Sequence, residues 1–139
     1  MRFIVEGCDG TGKSTFAKKL AKNMGYTYVY FPRPDPITSA KSSVWVDEAY
    51  NYYHDYIIRL DNVVLDRSFL STIVYAGLVD DQQEVIKTLK VPATFFIFTV
   101  NDDKEDAIGF MKVVKLAEEY HFSNVIRIDT TRKERTRKV

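Results

Sequence analysis

The chain has 139 residues, enough for one domain with a single core and too few for two. Hydrophobic residues make up 45% and charged residues 28%, with no 18-residue apolar run and no signal-peptide pattern, so a cytoplasmic protein without a membrane partner is expected. Net charge is +1, yet residues 132–139 hold five basic groups and one acid, which leaves a slightly acidic body and argues against a broad nucleic-acid face.

Taken in order, residues 3–6 are β-branched, aromatic and apolar before Glu6 and read as a first strand. Gly7-Cys8-Asp9-Gly10-Thr11-Gly12-Lys13-Ser14 then fits the phosphate-loop pattern G-x-x-x-x-G-K-[ST]. Residues 14–24 follow with Phe16, Ala17, Leu20, Ala21 and Met24 at helical spacing, and Gly25 supplies a left-handed cap. Residues 26–31 read as a second strand, so the first crossover is a parallel βαβ unit. Pro32, Pro34 and Pro36 stiffen the next loop, which carries Arg33.

Residues 44–60 read as a helix unusually rich in rings: Trp45, Tyr50, Tyr52, Tyr53 and Tyr56. A third strand, 63–65, ends on Asp66-Arg67-Ser68. Helices are expected over 69–78 and 80–90, the second broken by Pro92. Residues 94–100 form the longest apolar run and read as a buried interior strand. A helix over 103–120 points Ala107, Phe110, Met111, Val114 and Ala117 at the core, and a fifth strand spans 124–128. Five strands alternating with helices predict a P-loop NTPase fold, a five-stranded parallel sheet in a three-layer αβα sandwich, as a single domain over 1–139 with a basic tail at 132–139.

The loop residues Gly7, Cys8, Asp9, Gly10, Thr11, Gly12, Lys13, Ser14 and Thr15 are the expected phosphate binders. Glycines let the backbone point N–H groups at an anion, Lys13 reaches the β- and γ-phosphates of ATP, and the Ser14 hydroxyl ligates Mg²⁺. An apolar strand ending in Asp66 is Walker-B-like and can hold the same Mg²⁺, while Arg67 bridges anionic oxygens. Arg33 is a further phosphate ligand by position. Cys8, the only cysteine, reads as a small space-filling residue; one cysteine rules out an internal disulfide and fits a reducing compartment. His54 and His121 lack metal-ligand spacing and read as surface or interface residues.

These segments resemble the thymidylate kinase family. Residues 5–15, Val5-Glu6-Gly7 through Ser14-Thr15, look like its EGxDGxGK[ST]T signature, and Phe31-Pro32-Arg33-Pro34 is similar to its F-x-R-E-P segment. Asp66, Arg67, Ser71, Tyr75 and Gly77 match its DR[YF]xxSxxAYQG segment, so the resemblance covers about the first 80 residues. It implies transfer of the ATP γ-phosphoryl to a deoxynucleoside monophosphate, dTMP to dTDP. Carried over, Asp9 contacts the acceptor sugar, Arg33 and Arg67 hold its phosphate, Phe69, Ser71 and Tyr75 line its pocket, and Asp66 orders Mg²⁺. Lys13, Arg67, Asp66 and Asp9 form the catalytic set. Family members are commonly homodimers, and the aromatic excess of 44–60 suits an interface.

The departures also carry information. Ser68 stands where the family has an aromatic, and it matches the [ED]RS motif of deoxynucleoside kinases. A nucleoside acceptor would require a base, for which Glu6 or Asp66 is the candidate. Asn101-Asp102-Asp103-Lys104-Glu105-Asp106 occupies the place of an arginine-bearing lid without any arginine; the basic tail reads as a frayed terminus, with partial compensation for the missing arginines as the alternative. The chain is shorter than usual for the family and has no final helix. Deoxynucleoside kinase, nucleotide-binding module and nucleic-acid end kinase therefore stand as alternatives.

Overall fold

A computed structural model of the chain describes residues 1–30, 59–75, 77, 79–80, 93–120 and 124–132. Several expectations lie outside them: Arg33 and its proline loop, the aromatic helix to residue 58, residues 81–90, His54, His121 and the tail from residue 133.

Five strands, β1 (Arg2–Gly7), β2 (Thr27–Tyr30), β3 (Val63–Asp66), β4 (Thr94–Val100) and β5 (Val125–Thr130), form one sheet in the order β2-β3-β1-β4-β5. Every pairing is parallel. β1 lies at the centre, and the register sets Val5 opposite Asp66, which brings the end of β3 beside the loop that leaves β1.

Side chains alternate across the strands and divide the core in two. Ile4, Val63, Leu65, Phe95 and Ile97 face α2 (Phe69–Tyr75) and α3 (Glu105–Glu119). Val5, Val64 and Phe98 face α1 (Lys13–Met24), where Ala17 and Ala21 are buried. Helices therefore cover both faces, giving the expected three layers with the P-loop NTPase topology. Gly109 lets α3 approach α2 closely, since a Cβ there would lie 2.8 Å from Val74 Cγ1.

Some details differ from expectation. Met24, in the last turn of α1, is exposed, and Met111 is only half-buried while Val113 takes the core position. α3 begins at Glu105 rather than residue 103. β5 extends past residue 128 because Asp129 is held in the ladder, its Oδ1 accepting from Thr99 Oγ1 at 2.5 Å and Arg127 Nε at 2.7 Å. Asp80 lies in a turn. Among the described residues no helix is long and apolar enough to cross a membrane.

Candidate active site

The loop after β1 is shaped by close approach as much as by glycine flexibility. Gly7 has φ 136°, and a Cβ on it would fall 2.3 Å from the Phe98 carbonyl oxygen of β4. Cys8 N–H donates to that same oxygen at 3.1 Å, and the Cys8 side chain is wholly buried. Burial pushes the thiol pKa up to about 11, so it packs as an apolar group. Gly12, at φ 81°, caps α1 without any side-chain hydrogen bond. The first-turn N–H groups of α1 are thus left for an anion, at the positive end of the helix dipole.

Residues 9–15, Tyr30 and Arg67 line a cavity of about 370 Å³ over this loop. A larger groove of about 720 Å³ lies between α3 and the ends of β4 and β5, but it contains neither the loop nor Lys13 nor Arg67. The smaller cavity has the chemistry. Lys13 is buried, and its ammonium is held below its usual pKa first by burial and then by Arg67, against the pull of Asp66, Glu6 and Asp9. Its Nζ lies 3.9 Å from Asp9 Oδ1.

Among the described residues Arg67 is the largest fully buried side chain, held at φ 76° on the turn after β3. Its backbone N–H donates to Val5 O at 2.9 Å, which ties the turn to β1. The guanidinium sits 5.0 Å from the Tyr75 ring centre, and Nη2 donates to Asp9 Oδ1 at 3.1 Å. Nη1 is buried without a hydrogen-bond partner among the described residues. An unpaired buried guanidinium nitrogen beside a phosphate-type cavity fits an anionic oxygen.

Strand parity sends the two candidate bases to opposite faces. Asp66 shares the α1 face with Val64; its Oδ2 accepts from Tyr28 Oη at 2.5 Å, and its Oδ1 is buried with no partner among the described residues. Burial and the carboxylate both push the Tyr28 phenol above its usual range, so Tyr28 stays a donor. The orphaned Oδ1, together with the Ser14 hydroxyl in the cavity wall, fits a hard divalent cation such as Mg²⁺.

Glu6 points to the other face, wholly buried, and accepts from Ser68 Oγ at 2.7 Å and Ser71 Oγ at 2.5 Å. Burial raises its pKa, against the opposing pull of the two hydroxyls. Ser71, expected at the acceptor pocket, therefore turns its hydroxyl to Glu6 and is itself buried. Phe69 opens α2, and its side chain lies outside the described set.

Four residues were not singled out by the sequence. Tyr28 and Tyr30 sit on β2; their only signal was alternation leading up to a strand end. Asp106, in the first turn of α3, and Arg132, just beyond β5, meet beside the loop. That contact depends on where two distant strands end, which no local pattern encodes.

No protein-family model matches the chain. A protein of Acidianus bottle-shaped virus (isolate Italy/Pozzuoli), provisionally named a thymidylate kinase, is 38% identical over 79 residues, which is 54% of this chain and 47% of the relative. The chain thus spans about half the length of that relative. A second, from Methanocaldococcus jannaschii and named a thymidylate kinase by inference, is 29% identical across 96% of this chain and 88% of its own length. Among solved structures, the YorR protein of Bacillus subtilis, in complex with phosphorylated GDP, superposes with a TM-score of 0.56 at 22% identity, covering 93% of this chain and 85% of that one. Shikimate kinase of Bacteroides thetaiotaomicron superposes at 0.50 and 12% identity, covering 91% and 85%. The chain has the P-loop NTPase fold and is, by sequence, thymidylate kinase-like.

Proposed function

We propose that this chain transfers the γ-phosphoryl group of ATP to a deoxynucleoside monophosphate, with dTMP the first candidate acceptor and Mg²⁺ the metal. The observation that carries the reading is the meeting of Lys13, Arg67 and the open first turn of α1 around one cavity, with the buried Asp66 next to Arg67 in the chain. Ser14 and Asp66 are the residues that would hold Mg²⁺, which supplies charge neutralisation at the transferring group.

The protein's own part is positioning and charge. The loop N–H groups and Lys13 take the donor phosphates, and Arg67, whose Nη1 has no hydrogen-bond partner among the described residues, takes anionic oxygens of donor and acceptor. Asp9, whose carboxylate accepts from Arg67 Nη2, is assigned to the acceptor sugar by resemblance. Arg33 follows β2 in sequence and is assigned to the acceptor phosphate by resemblance alone. The thymidylate kinase names of two relatives support the acceptor class.

The state of Glu6 favours a monophosphate over a nucleoside acceptor. A nucleoside hydroxyl must lose its proton to a base, whereas a monophosphate oxygen attacks as an anion. Glu6 is wholly buried with both carboxylate oxygens taken by serine hydroxyls, which suits a positioning role and not proton abstraction.

The test is ADP release in the presence of ATP and Mg²⁺, with dTMP, the other deoxynucleoside monophosphates and thymidine compared side by side. Turnover with a monophosphate, lost in Lys13→Ala, is the expected result. Turnover confined to nucleosides would transfer the assignment to a deoxynucleoside kinase, and ATP binding without turnover would make the chain a nucleotide-binding module.

A further inference from the structure

The phosphate loop is gripped from outside as well as from within. Asp106 Oδ2 accepts the Asp9 backbone N–H at 3.3 Å, and Arg132 Nη1 donates to the Asp9 carbonyl oxygen at 3.0 Å. The same two side chains hold each other: Arg132 Nη1 donates to Asp106 Oδ2 at 3.0 Å, and Nη2 donates to Asp106 Oδ1. Asp102 anchors the far side of the guanidinium, with Oδ2 2.7 Å from Arg132 Nε. Arg132 and Asp106 are 15% and 12% exposed, so the pair is sheltered from solvent screening.

We propose that Asp106 and Arg132 form a two-sided clamp on the Asp9 peptide, as positioning residues that fix the phosphate loop in its anion-binding shape. The proposal rests on the phosphate-loop reading given above and is independent of the acceptor's identity. Gly10 and Gly12, both at positive φ, leave the rest of the loop intrinsically loose. Asp9 is the point at which that looseness is stopped. Its two backbone groups are held by the clamp, and its carboxylate is held by Arg67 from the interior.

The clamp also gives the arginine-free acidic segment a role. Asp102 and Asp106 do not line the cavity over the loop; they hold Arg132 in place. Arg132 in turn is committed to two carboxylates and a carbonyl, which differs from a lid arginine kept free for phosphates.

Charge and position predict opposite outcomes, which makes the clamp testable. Asp106→Ala removes a negative charge beside an anion site, so electrostatics alone predicts tighter phosphate binding. Arg132→Lys keeps the charge, so electrostatics alone predicts no change, but one ammonium cannot replace the three nitrogens that Arg132 uses. The clamp predicts that both variants bind more weakly, by about tenfold, the order expected for losing one charge-assisted hydrogen bond to a buried partner.

Binding of Mg-tripolyphosphate and of Mg-ATP to the full chain would be measured by calorimetry, with urea midpoints checking that each variant folds. Equal weakening toward both ligands in both variants is the expected result. Tighter binding by Asp106→Ala, or wild-type affinity in Arg132→Lys, overturns the clamp. Weakening toward ATP alone also overturns it, since Arg132 would then be contacting the base or sugar. Wild-type protein that binds neither ligand removes the phosphate-loop reading itself.

Discussion

Tyr28→Phe isolates the bond to the buried carboxylate that ends β3. The substitution deletes only the hydroxyl that donates to Asp66 Oδ2 at 2.5 Å. Asp66 is fully buried, and its other oxygen already lacks a partner among the described residues. Its carboxylate would then have none there on either oxygen. Hydrogen bonds to charged groups contribute about 1.5–3 kcal/mol, and the complete burial of Asp66 places the loss at about 2 kcal/mol. That is a factor of about 30 in the unfolding equilibrium, and roughly 6 °C in Tm for a chain of this size. Urea unfolding monitored by circular dichroism gives the value, provided the slope m matches the wild type. Repeating Tyr28→Phe in an Asp66→Ala background removes the carboxylate that needed the bond, and the cost should fall below about 0.5 kcal/mol. A loss of similar size in both backgrounds would refute the reasoning, because the ring rather than the hydroxyl would then carry the effect.

Other substitutions follow from the same geometry. Lys13→Ala should lower phosphoryl transfer by at least about 100-fold while leaving the fold intact, as read by initial rates and Tm. Arg67→Lys keeps a charge but loses the Nη2 contact to Asp9 and the unpartnered Nη1, so kcat should fall by about 100-fold with a smaller change in the KM for ATP. Gly7→Ala drives a Cβ into the Phe98 carbonyl at positive φ and should destabilise the chain by about 3 kcal/mol or more in urea titrations. Glu6 has a raised pKa in the folded state, so its contribution is fully present below the unfolded carboxylate range and is lost as pH rises toward the folded value. Glu6→Gln should therefore gain stability relative to wild type as pH rises above the unfolded carboxylate range, as read by paired urea midpoints; a flat or opposite trend would contradict the burial argument.

Much of the site could be read in advance, for physical reasons that differ by residue. The phosphate loop is a contiguous string whose chemistry depends on local backbone shape, so Gly7 to Ser14 could be recognised from spacing alone. Asp66 and Arg67 could be placed because an apolar strand that stops at a carboxylate next to a loop strand has few places to put it. Glu6, Ser68 and Ser71 were visible as residues, but their mutual bonding was not. Glu6 and Asp66 lie one step apart in strand parity, and only the register of β1 against β3 shows that they face different layers. Asp106 and Arg132 were least legible. The sequence suggested an acidic stretch and a basic tail, and the structure joins one residue of each through a loop more than 90 positions away from Asp106.

The long reach of Arg132 has a consequence for how the chain folds. Its bond to the Asp9 carbonyl spans 123 positions, and β1, through which the whole site is built, pairs only with strands that follow long crossovers. Contacts of this separation close late, after the entropy of the intervening loops has been overcome, so the phosphate loop acquires its outer brace only when β5 has docked. Nucleotide binding would then report completion of the whole sheet, not of its first βαβ unit. A ligand at a hundred times its Kd adds about 2.7 kcal/mol to the state that binds it, which would draw the last strand into place during refolding.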